Sequence, residues 1–251
     1  MGFARSALIG LLAGAFGGLV GLGGGAVMIP LMVRTAGLKQ RESHGTSLVA
    51  LVFTGLAGAV TYALRGKVDV MAALCLALTA TLTAPVGARY AHALPEWKLK
   101  RSFGAFLVTV SLLLLAKPWL SSGGAAESGE LTKAAILLAT GVFTGFFSGM
   151  MGVGGGTIMV PSMVLLVGLP QVVAQGSSLL AMVPAGAVGA HTHWHLGNVT
   201  RRLLPGLTAG ILVGAFAGGS LALRLPEAAL QVTFGVVLGW TGIRYLVARR
   251  S

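Results

Sequence analysis

The sequence predicts an all-α polytopic membrane protein made of two inverted repeats, each a glycine-broken re-entrant helical hairpin followed by three transmembrane helices. Two observations predict the membrane class. Of 251 residues, 55% are hydrophobic and only 10% are charged, whereas soluble domains carry about 25% charged residues. Mean hydropathy is +0.87. A third observation, an ungapped internal repeat that aligns Gly21 with Gly152 and keeps this offset along the chain, predicts the division into two halves.

Eight apolar stretches follow one another along the chain, and most of them reach the roughly 20 residues that a spanning helix needs. They cover residues 7–33, 44–64, 70–88, 103–120, 134–167, 176–192, 203–223 and 228–247. Residues 1–120 are predicted to form the first membrane repeat, residues 121–132 a polar linker, and residues 133–251 the second membrane repeat.

Two glycine-rich motifs carry the repeat. Gly21-Leu-Gly-Gly-Gly25 is followed by Pro30, and Gly152-Val-Gly-Gly-Gly156 is followed by Pro161 at the same distance. Residues 21–25 are called the first break and residues 152–156 the second break, because three adjacent glycines interrupt a helix. Broken segments at matching places in two halves indicate the binding site of a transporter. The alternative is that the glycines serve only as tight helix crossings.

The Lys and Arg residues distinguish two topologies. If each broken segment dips into the membrane and returns, 13 of the 18 basic residues lie on one side; if it crosses, the split is 8 to 10. Cytoplasmic loops are enriched in Lys and Arg. The first split therefore favours re-entrant hairpins, six full spans and both termini in the cytoplasm. The arms of the first hairpin, residues 6–20 and 26–36, are then expected to be half-spans of about 22 and 16 Å.

The breaks predict an anion site. Backbone N–H groups at the start of a helix attract anions, and glycine lets a ligand approach the backbone closely. Hydroxyl groups after each break are predicted to complete the coordination, with local helix capping as the alternative, and His44 could also donate a proton. The predicted substrate-binding residues are Gly23, Gly24, Gly25, His44, Thr46, Ser47, Gly154, Gly155, Gly156, Thr157, Gln175, Ser177 and Ser178. Gly24→Leu is expected to abolish transport while leaving expression intact.

The positions of the charged residues disfavour several kinds of function. All six acidic residues fall in predicted loops or at span ends, which disfavours a cation substrate and carboxylate-based ion coupling. The basic residues lie in short loops, where they set topology, so nucleic acid is not an expected partner. Since no nucleophile–base pair is visible, an enzyme is not expected, and neither is a cofactor. The expected partners are a small anion and the lipid bilayer; a homo-oligomer is left open.

Three histidines form the one metal-like cluster, His191, His193 and His195. The matching positions of the first half hold Val60, Tyr62 and Leu64. We therefore interpret the cluster as an interfacial helix end rather than part of the repeated machinery, with Trp194 at head-group depth. A metal-ion permease that uses the three histidines is the alternative, and a non-transporting scaffold is a third, which the paired breaks disfavour.

The two breaks with their prolines, together with His44-Gly-Thr-Ser47 and Gln175-Gly-Ser-Ser178, resemble the TauE/SafE sulfite exporter family of bacterial permeases. The resemblance extends from about residue 7 to residue 248. It implies a multi-pass transporter of the bacterial cytoplasmic (inner) membrane that moves sulfur-containing oxyanions, generally outward. On this basis we expect export of sulfite or an organosulfonate by alternating access about the breaks, with transport of an unrelated small anion as the alternative.

Overall fold

The computed structural model describes residues 2–90, 96–116 and 129–247, and these residues form ten α-helices. The helices are α1 (Phe3–Val20), α2 (Gly25–Ala36), α3 (Gln40–Ala63), α4 (Val70–Tyr90), α5 (Glu96–Ala116), α6 (Glu130–Met151), α7 (Gly156–Ser162), α8 (Gln171–His195), α9 (Leu204–Ala222) and α10 (Glu227–Leu246). A π-helical turn (Met163–Val167) continues α7, and a 3-10 turn (Arg201–Leu203) precedes α9.

The helices confirm an all-helical membrane protein. Six helical runs are long and apolar enough to cross a membrane by length and composition. They are Phe3–Val20, Gln40–Ala63, Val70–Tyr90, Glu130–Met151, Gln171–His195 and Arg201–Ala222. Three shorter apolar helices are Gly25–Ala36, Phe103–Ala116 and Gly156–Val167.

The two arms of each broken segment differ in length. The first arms, α1 and α6, have 18 and 22 residues, about 27 and 33 Å at 1.5 Å per residue. The second arm α2 has 12 residues. In the first hairpin, α2 is close to the length expected for residues 26–36, whereas α1 is longer than the roughly 22 Å expected for residues 6–20 and is long enough to cross a membrane. The first arm of the second half is longer because α6 begins at Glu130, inside the stretch assigned to the linker, and an acidic residue in the first turn suits the helix dipole. Residues 121–128 of that linker lie outside the described residues.

The helix boundaries follow the sequence repeat. α1 and α6 end at the equivalent residues Val20 and Met151, α2 and α7 begin at Gly25 and Gly156, and α3 and α8 begin at equivalent glutamines. Glycines with left-handed backbone also occur in equivalent pairs, including Gly21 (φ 75°) with Gly152 (φ 64°). This conformation is open to glycine at little cost and ends each first arm.

Glycine faces set the packing of the outer helices. α1 packs on α9, and the equivalent pair is α6 on α4. Gly10, Gly14 and Gly18 face Leu207, Ile211 and Ala215 in the same order along both helices, so α1 and α9 run in parallel. Gly141, Gly145 and Gly149 face Leu76, Ala80 and Ala84 in the same way. Small residues allow this close approach of helix backbones in lipid.

The central helices pack in antiparallel pairs. α3 packs on α8 and α5 packs on α10. Gly45 faces Asn198 while Gly176 faces Lys67, and Gly104 faces Gly242 while Gly235 faces Leu115. Of the six helices long enough to cross a membrane, α3 and α8 are the most buried. In each, 61% of the residues in the most apolar segment are buried. The segments that follow the two breaks therefore form the centre of the molecule.

Candidate functional site

The two breaks meet backbone to backbone at the centre of the protein. A Cβ added to Gly25 would lie 2.6 Å from the carbonyl oxygen of Gly152, and one added to Gly156 would meet the carbonyl oxygen of Gly21. Neither glycine has room for a side chain. The fold thus brings together the glycines that the sequence predicted from each repeat.

Gly24 is confined by a different neighbour. Its backbone is left-handed (φ 84°), and an added Cβ would meet the carbonyl oxygen of Ala13. Gly24→Leu would therefore strain the backbone and press against α1. Because the position is limited by packing, we expect Gly24→Leu to destabilise the protein, so a loss of transport in this variant does not by itself identify a ligand site.

Two serines link the repeats through these breaks. The Ser47 hydroxyl donates towards the carbonyl oxygen of Gly152 at 2.7 Å, and the Ser178 hydroxyl towards that of Gly21 at 2.9 Å. Each hydroxyl also lies within hydrogen-bond distance of a carbonyl three residues earlier, at 2.8 Å for His44 and 2.9 Å for Gln175. Both serines are fully buried. Each repeat therefore satisfies the carbonyl end of the broken helix of the other repeat.

The hydroxyl groups of Thr46 and Ser177, next to these serines, accept hydrogen bonds from loop residues. Thr46 Oγ1 accepts the N–H of Thr200 at 2.9 Å, and Ser177 Oγ accepts the N–H of Asp69 at 2.8 Å. Ser177 also donates to the carbonyl of Val173 at 2.8 Å, one turn earlier. The local bonding considered as the alternative is therefore present, but the bonds between repeats were not expected. Four of the five predicted hydroxyl groups, those of Thr46, Ser47, Ser177 and Ser178, therefore have protein partners in this conformation.

A tyrosine and a histidine form a further equivalent pair that sequence reasoning missed. Tyr62 Oη lies 3.0 Å from the carbonyl oxygen of Gly18, and His193 Nε2 lies 3.1 Å from that of Gly149. Asn198 Nδ2 lies 3.3 Å from His193 Nδ1. The signal was present in the sequence, because Tyr62 and His193 occupy matching positions of the two repeats and both carry a ring with a hydrogen-bond donor.

The interpretation of the histidine cluster needs correction at one residue. His193 is only 2% exposed, and it lies against the carbonyl oxygen of Gly149 as Tyr62 lies against that of Gly18. This residue of the last turn of α8 therefore makes a contact that both repeats share. His191 and His195 are exposed, with ring centroids 4.4 Å apart, and Trp194 is 39% exposed. Within the described residues, no group of three His, Cys, Asp or Glu side chains could hold a metal ion.

A cavity of about 580 Å³ opens beside the first break. Its walls are fourteen described residues, two of them arginines and none acidic: Gly25, Ala26, Ile29, Pro30, Leu31, Val33, Arg34, Gln40, His44, Met151, Trp240, Thr241, Arg244 and Tyr245. We call it the first vestibule. Arg244 stacks over the Trp240 ring at 4.8 Å. Because the first turn of α2 forms part of the wall, the helix end and both guanidinium groups favour an anion here.

A much smaller cavity lies beside the second break, between Gly154, Gly155, Thr144 and Ser148. It has room for about one water molecule. The hydroxyl of Thr144 is buried there without a hydrogen-bond partner. The cavity would have to widen before it could hold an oxyanion of several heavy atoms.

Four acidic residues stand outside these cavities, at the starts of helices: Glu42, Asp69, Glu130 and Glu227. Glu42 Oε2 accepts the N–H of Lys39 at 3.0 Å, and Asp69 Oδ1 accepts that of Ala72 at 2.9 Å. Glu227 Oε1 accepts the N–H of Gln171 at 2.9 Å. Glu96 and Glu130 begin α5 and α6. The expectation that the spans lack interior carboxylates is met for the described residues.

Comparison of the sequence with known proteins finds a family of exporters and relatives named as probable membrane transporters. The sequence model of the family described as sulfite exporter TauE/SafE matches residues 4–249. The chain is 26% identical to the probable membrane transporter protein YunE of Bacillus subtilis, over 95% of each chain. It is 28% identical to a probable membrane transporter protein of Xylella fastidiosa, over 88% of this chain and 86% of the relative. The comparison with solved structures found no match.

Proposed function

This chain belongs to the sulfite exporter TauE/SafE family, and from that premise we propose that it exports a small sulfur-containing oxyanion, such as sulfite or an organosulfonate. The family consists of membrane transporters and not of enzymes. One observation carries the proposal: the first turn of α2 opens into a vestibule that holds Arg34 and Arg244 and no acidic side chain among the described residues. Such a cavity concentrates anions at a helix end.

The proposed site is the backbone of both breaks. The anion approaches Gly23, Gly24 and Gly25 from the first vestibule, with His44 on the vestibule wall as an additional donor. Gly154, Gly155, Gly156, Thr157 and Gln175 would contact it from the second repeat. Thr46, Ser47, Ser177 and Ser178 are hydrogen-bonded within the protein here. In this proposal they reach the anion only after the two breaks separate, and neutral donors of this kind bind an ion without trapping it.

The proposed topology is an inverted repeat. Two observations support it: the equivalent helices α3 and α8 cross in opposite directions, and so do α5 and α10. A pseudo-two-fold axis that lies in the membrane plane accounts for equivalent helices that run in opposite directions. Following the chain from α1 then places 13 of the 18 basic residues on one side. By the positive-inside bias that side is the cytoplasm, with both termini in it and the inner membrane as location.

Thiol labelling tests the topology. In a Cys75→Ala background, Lys39→Cys is expected to react only from the cytoplasmic side and Lys67→Cys only from outside, because these exposed residues precede and follow α3. Impermeant maleimide applied to right-side-out and inverted vesicles provides the measurement. Reaction of both cysteines from the same side would exclude the inverted arrangement.

Flux in proteoliposomes tests the substrate class. We expect sulfite flux that responds to an imposed potential, because an inside-negative potential favours the exit of an anion by about 2.3 kcal/mol per charge per 100 mV. Arg34→Gln and Arg244→Gln are expected each to raise the half-saturation concentration by about 2- to 5-fold, as exposed charges contribute modestly. Arg224→Gln, on the wall of a different cavity with Arg65, is the matched control and should leave it unchanged.

Competition by sulfate, taurine and sulfoacetate ranks the substrates in the same assay. Flux of none of these anions in sealed, loaded liposomes would remove the sulfur-oxyanion assignment and leave the fold in place. If the half-saturation concentration is unchanged in both Arg34→Gln and Arg244→Gln, the first vestibule does not contribute to anion binding.

A further inference from the structure

The walls of the first vestibule have equivalents in the second repeat, and those equivalents are shut away from solvent. Ala26, Pro30 and Gln40 are half-buried around the open cavity. Their counterparts Thr157, Pro161 and Gln171 are buried, with Thr157 only 1% exposed and Gln171 fully enclosed.

The two breaks also differ in backbone conformation: φ is 84° at Gly24 and −78° at the equivalent residue Gly155. The two repeats therefore adopt different conformations of one design, with one vestibule open and the other closed.

The closed side contains polar groups without partners. Both the Nε2 and the Oε1 of Gln171 lack a hydrogen bond, and so does Nε2 of Gln175. Gln175 Oε1 lies 3.1 Å from Tyr62 Oη. Flipping the Gln175 amide would exchange its two atoms and still leave one without a partner. Buried amides are normally satisfied, so each unsatisfied one requires an explanation.

These two amides share one face of α8. Gln171 and Gln175 are one helical turn apart, so their side chains are neighbours. They are the equivalents of Gln40 and His44, which line the first vestibule. When the second repeat takes up the open conformation of the first, the unpartnered amide groups would line the newly opened cavity.

We propose that Gln171, together with its neighbour Gln175 at the edge of the central site, holds the anion at a second position, closed in this structure and exposed when the second vestibule opens on the opposite side of the membrane. The inference rests on the proposed function and extends it to the far end of the transport route. The ligand is the same small oxyanion, bound by neutral N–H₂ donors.

The charge of the second vestibule suits release. The equivalents of Arg34 and Arg244 are Leu165 and Leu113, so no guanidinium is present at either position. The Glu227 carboxylate already accepts the first N–H of α8. An anion is therefore held less strongly here than in the first vestibule. Net flux still follows the electrochemical gradient. The difference in affinity between the two vestibules sets the anion concentration at which transport is half-saturated from each side.

Replacing the amides with Leu separates this role from a structural one. Gln171→Leu removes two unsatisfied groups from the closed state, so its melting temperature should stay at the wild-type value or rise by about 2–4 °C. Gln175→Leu also removes the contact with Tyr62 Oη, which still reaches the carbonyl oxygen of Gly18, so its melting temperature should stay near the wild-type value. Anion flux per folded molecule should fall at least fivefold in each variant and further in the double variant. Gln231→Leu is the matched control: its amide donates to the carbonyl of Leu114 at 2.9 Å, so this change should lower the melting temperature and leave the flux unchanged.

Thiol labelling provides the second measurement. In a Cys75→Ala background, Gln171→Cys should react slowly with an impermeant methanethiosulfonate from outside and Gln40→Cys readily from inside. Methanesulfonate loaded on the inside should raise the reaction rate of the Gln171→Cys thiol and lower that of the Gln40→Cys thiol. Sulfite is avoided in this assay because it cleaves the disulfides that the reagent forms.

Each outcome decides the proposal. Wild-type flux in the Gln171→Leu/Gln175→Leu double variant, or a reaction rate of the Gln171→Cys thiol that never changes, would overturn it. A loss of flux accompanied by an equal loss of thermal stability would assign the amides to the fold and overturn it as well. A wild-type protein that moves none of the tested anions would remove the proposed function instead, so the two failures are distinct.

Discussion

Gly25→Ala is expected to lower anion flux per folded molecule by at least fivefold. Gly25 has helical backbone, so alanine does not strain φ. The added Cβ would lie 2.6 Å from the carbonyl oxygen of Gly152 and 2.8 Å from that of Val153. Backbone atoms cannot rotate away, and the breaks must move apart. Overpacking of this kind costs about 1–3 kcal/mol, which corresponds to about 5- to 150-fold when it falls on one conformation. Gly156→Ala is expected to act in the same way.

Two controls separate flux from folding in this experiment. Gly14→Ala overpacks the α1–α9 contact, where the Cβ would lie 2.8 Å from Ile211 Cα, and not the contact between the two breaks. It should lower the melting temperature as much as Gly25→Ala does and retain flux per folded molecule. Gly189→Ala meets its nearest atom at 3.5 Å and should change neither quantity. Normal flux in Gly25→Ala, or an equal loss in Gly14→Ala, would show that contact between the breaks is not needed for transport.

Ser47→Ala combined with Ser178→Ala is expected to give the largest loss of thermal stability. Each change removes the hydroxyl that crosses between repeats and leaves a buried carbonyl short of a partner, at a cost of about 1–3 kcal/mol. The two bonds occur at opposite breaks, so we expect the losses to add. For a chain of this length the double variant should melt about 4–20 °C below the wild type, as measured by tryptophan fluorescence or light scattering in detergent.

Thr54→Ala is the matched control for the serines. Thr54 is fully buried, but its hydroxyl bonds only to the carbonyl of Ala50, in its own helix, at 3.4 Å. Losing this bond leaves no group of the other repeat unsatisfied, so the melting temperature should change by a few degrees at most. If the double serine variant melts no lower than Thr54→Ala, the bonds between repeats do not hold the breaks together.

The sequence predicted those features that depend on local pattern or on the repeat. Glycine triplets and the prolines that follow them predicted both breaks, and the structure ends α1 and begins α2 around Gly21–Gly25. The offset also predicted that both breaks belong to one site, and they are in contact. Apolar composition predicted the membrane class, because a lipid environment constrains composition more strongly than it constrains contacts.

Partners far apart in the chain could not be predicted. A repeat shows which residues are equivalent, but it does not show what each one contacts. Ser47 and Gly152 are 105 residues apart, and Ser178 and Gly21 are 157 apart. Their hydroxyls were therefore assigned to a ligand, although in this conformation they bond to the backbone. His193 was set aside for a related reason: Tyr62 is a different residue type, although both rings meet an equivalent carbonyl.

The pairing of α1 with α9 has a consequence for synthesis in the cell. The glycine face of α1 is complete when residue 20 enters the membrane, but the helix that covers it ends at Ala222. Nearly the whole chain must therefore be inserted while that face remains in contact with lipid. α6 is different, because α4 has already been made when α6 arrives. The first half can insert early, but it can finish folding only at the end of translation.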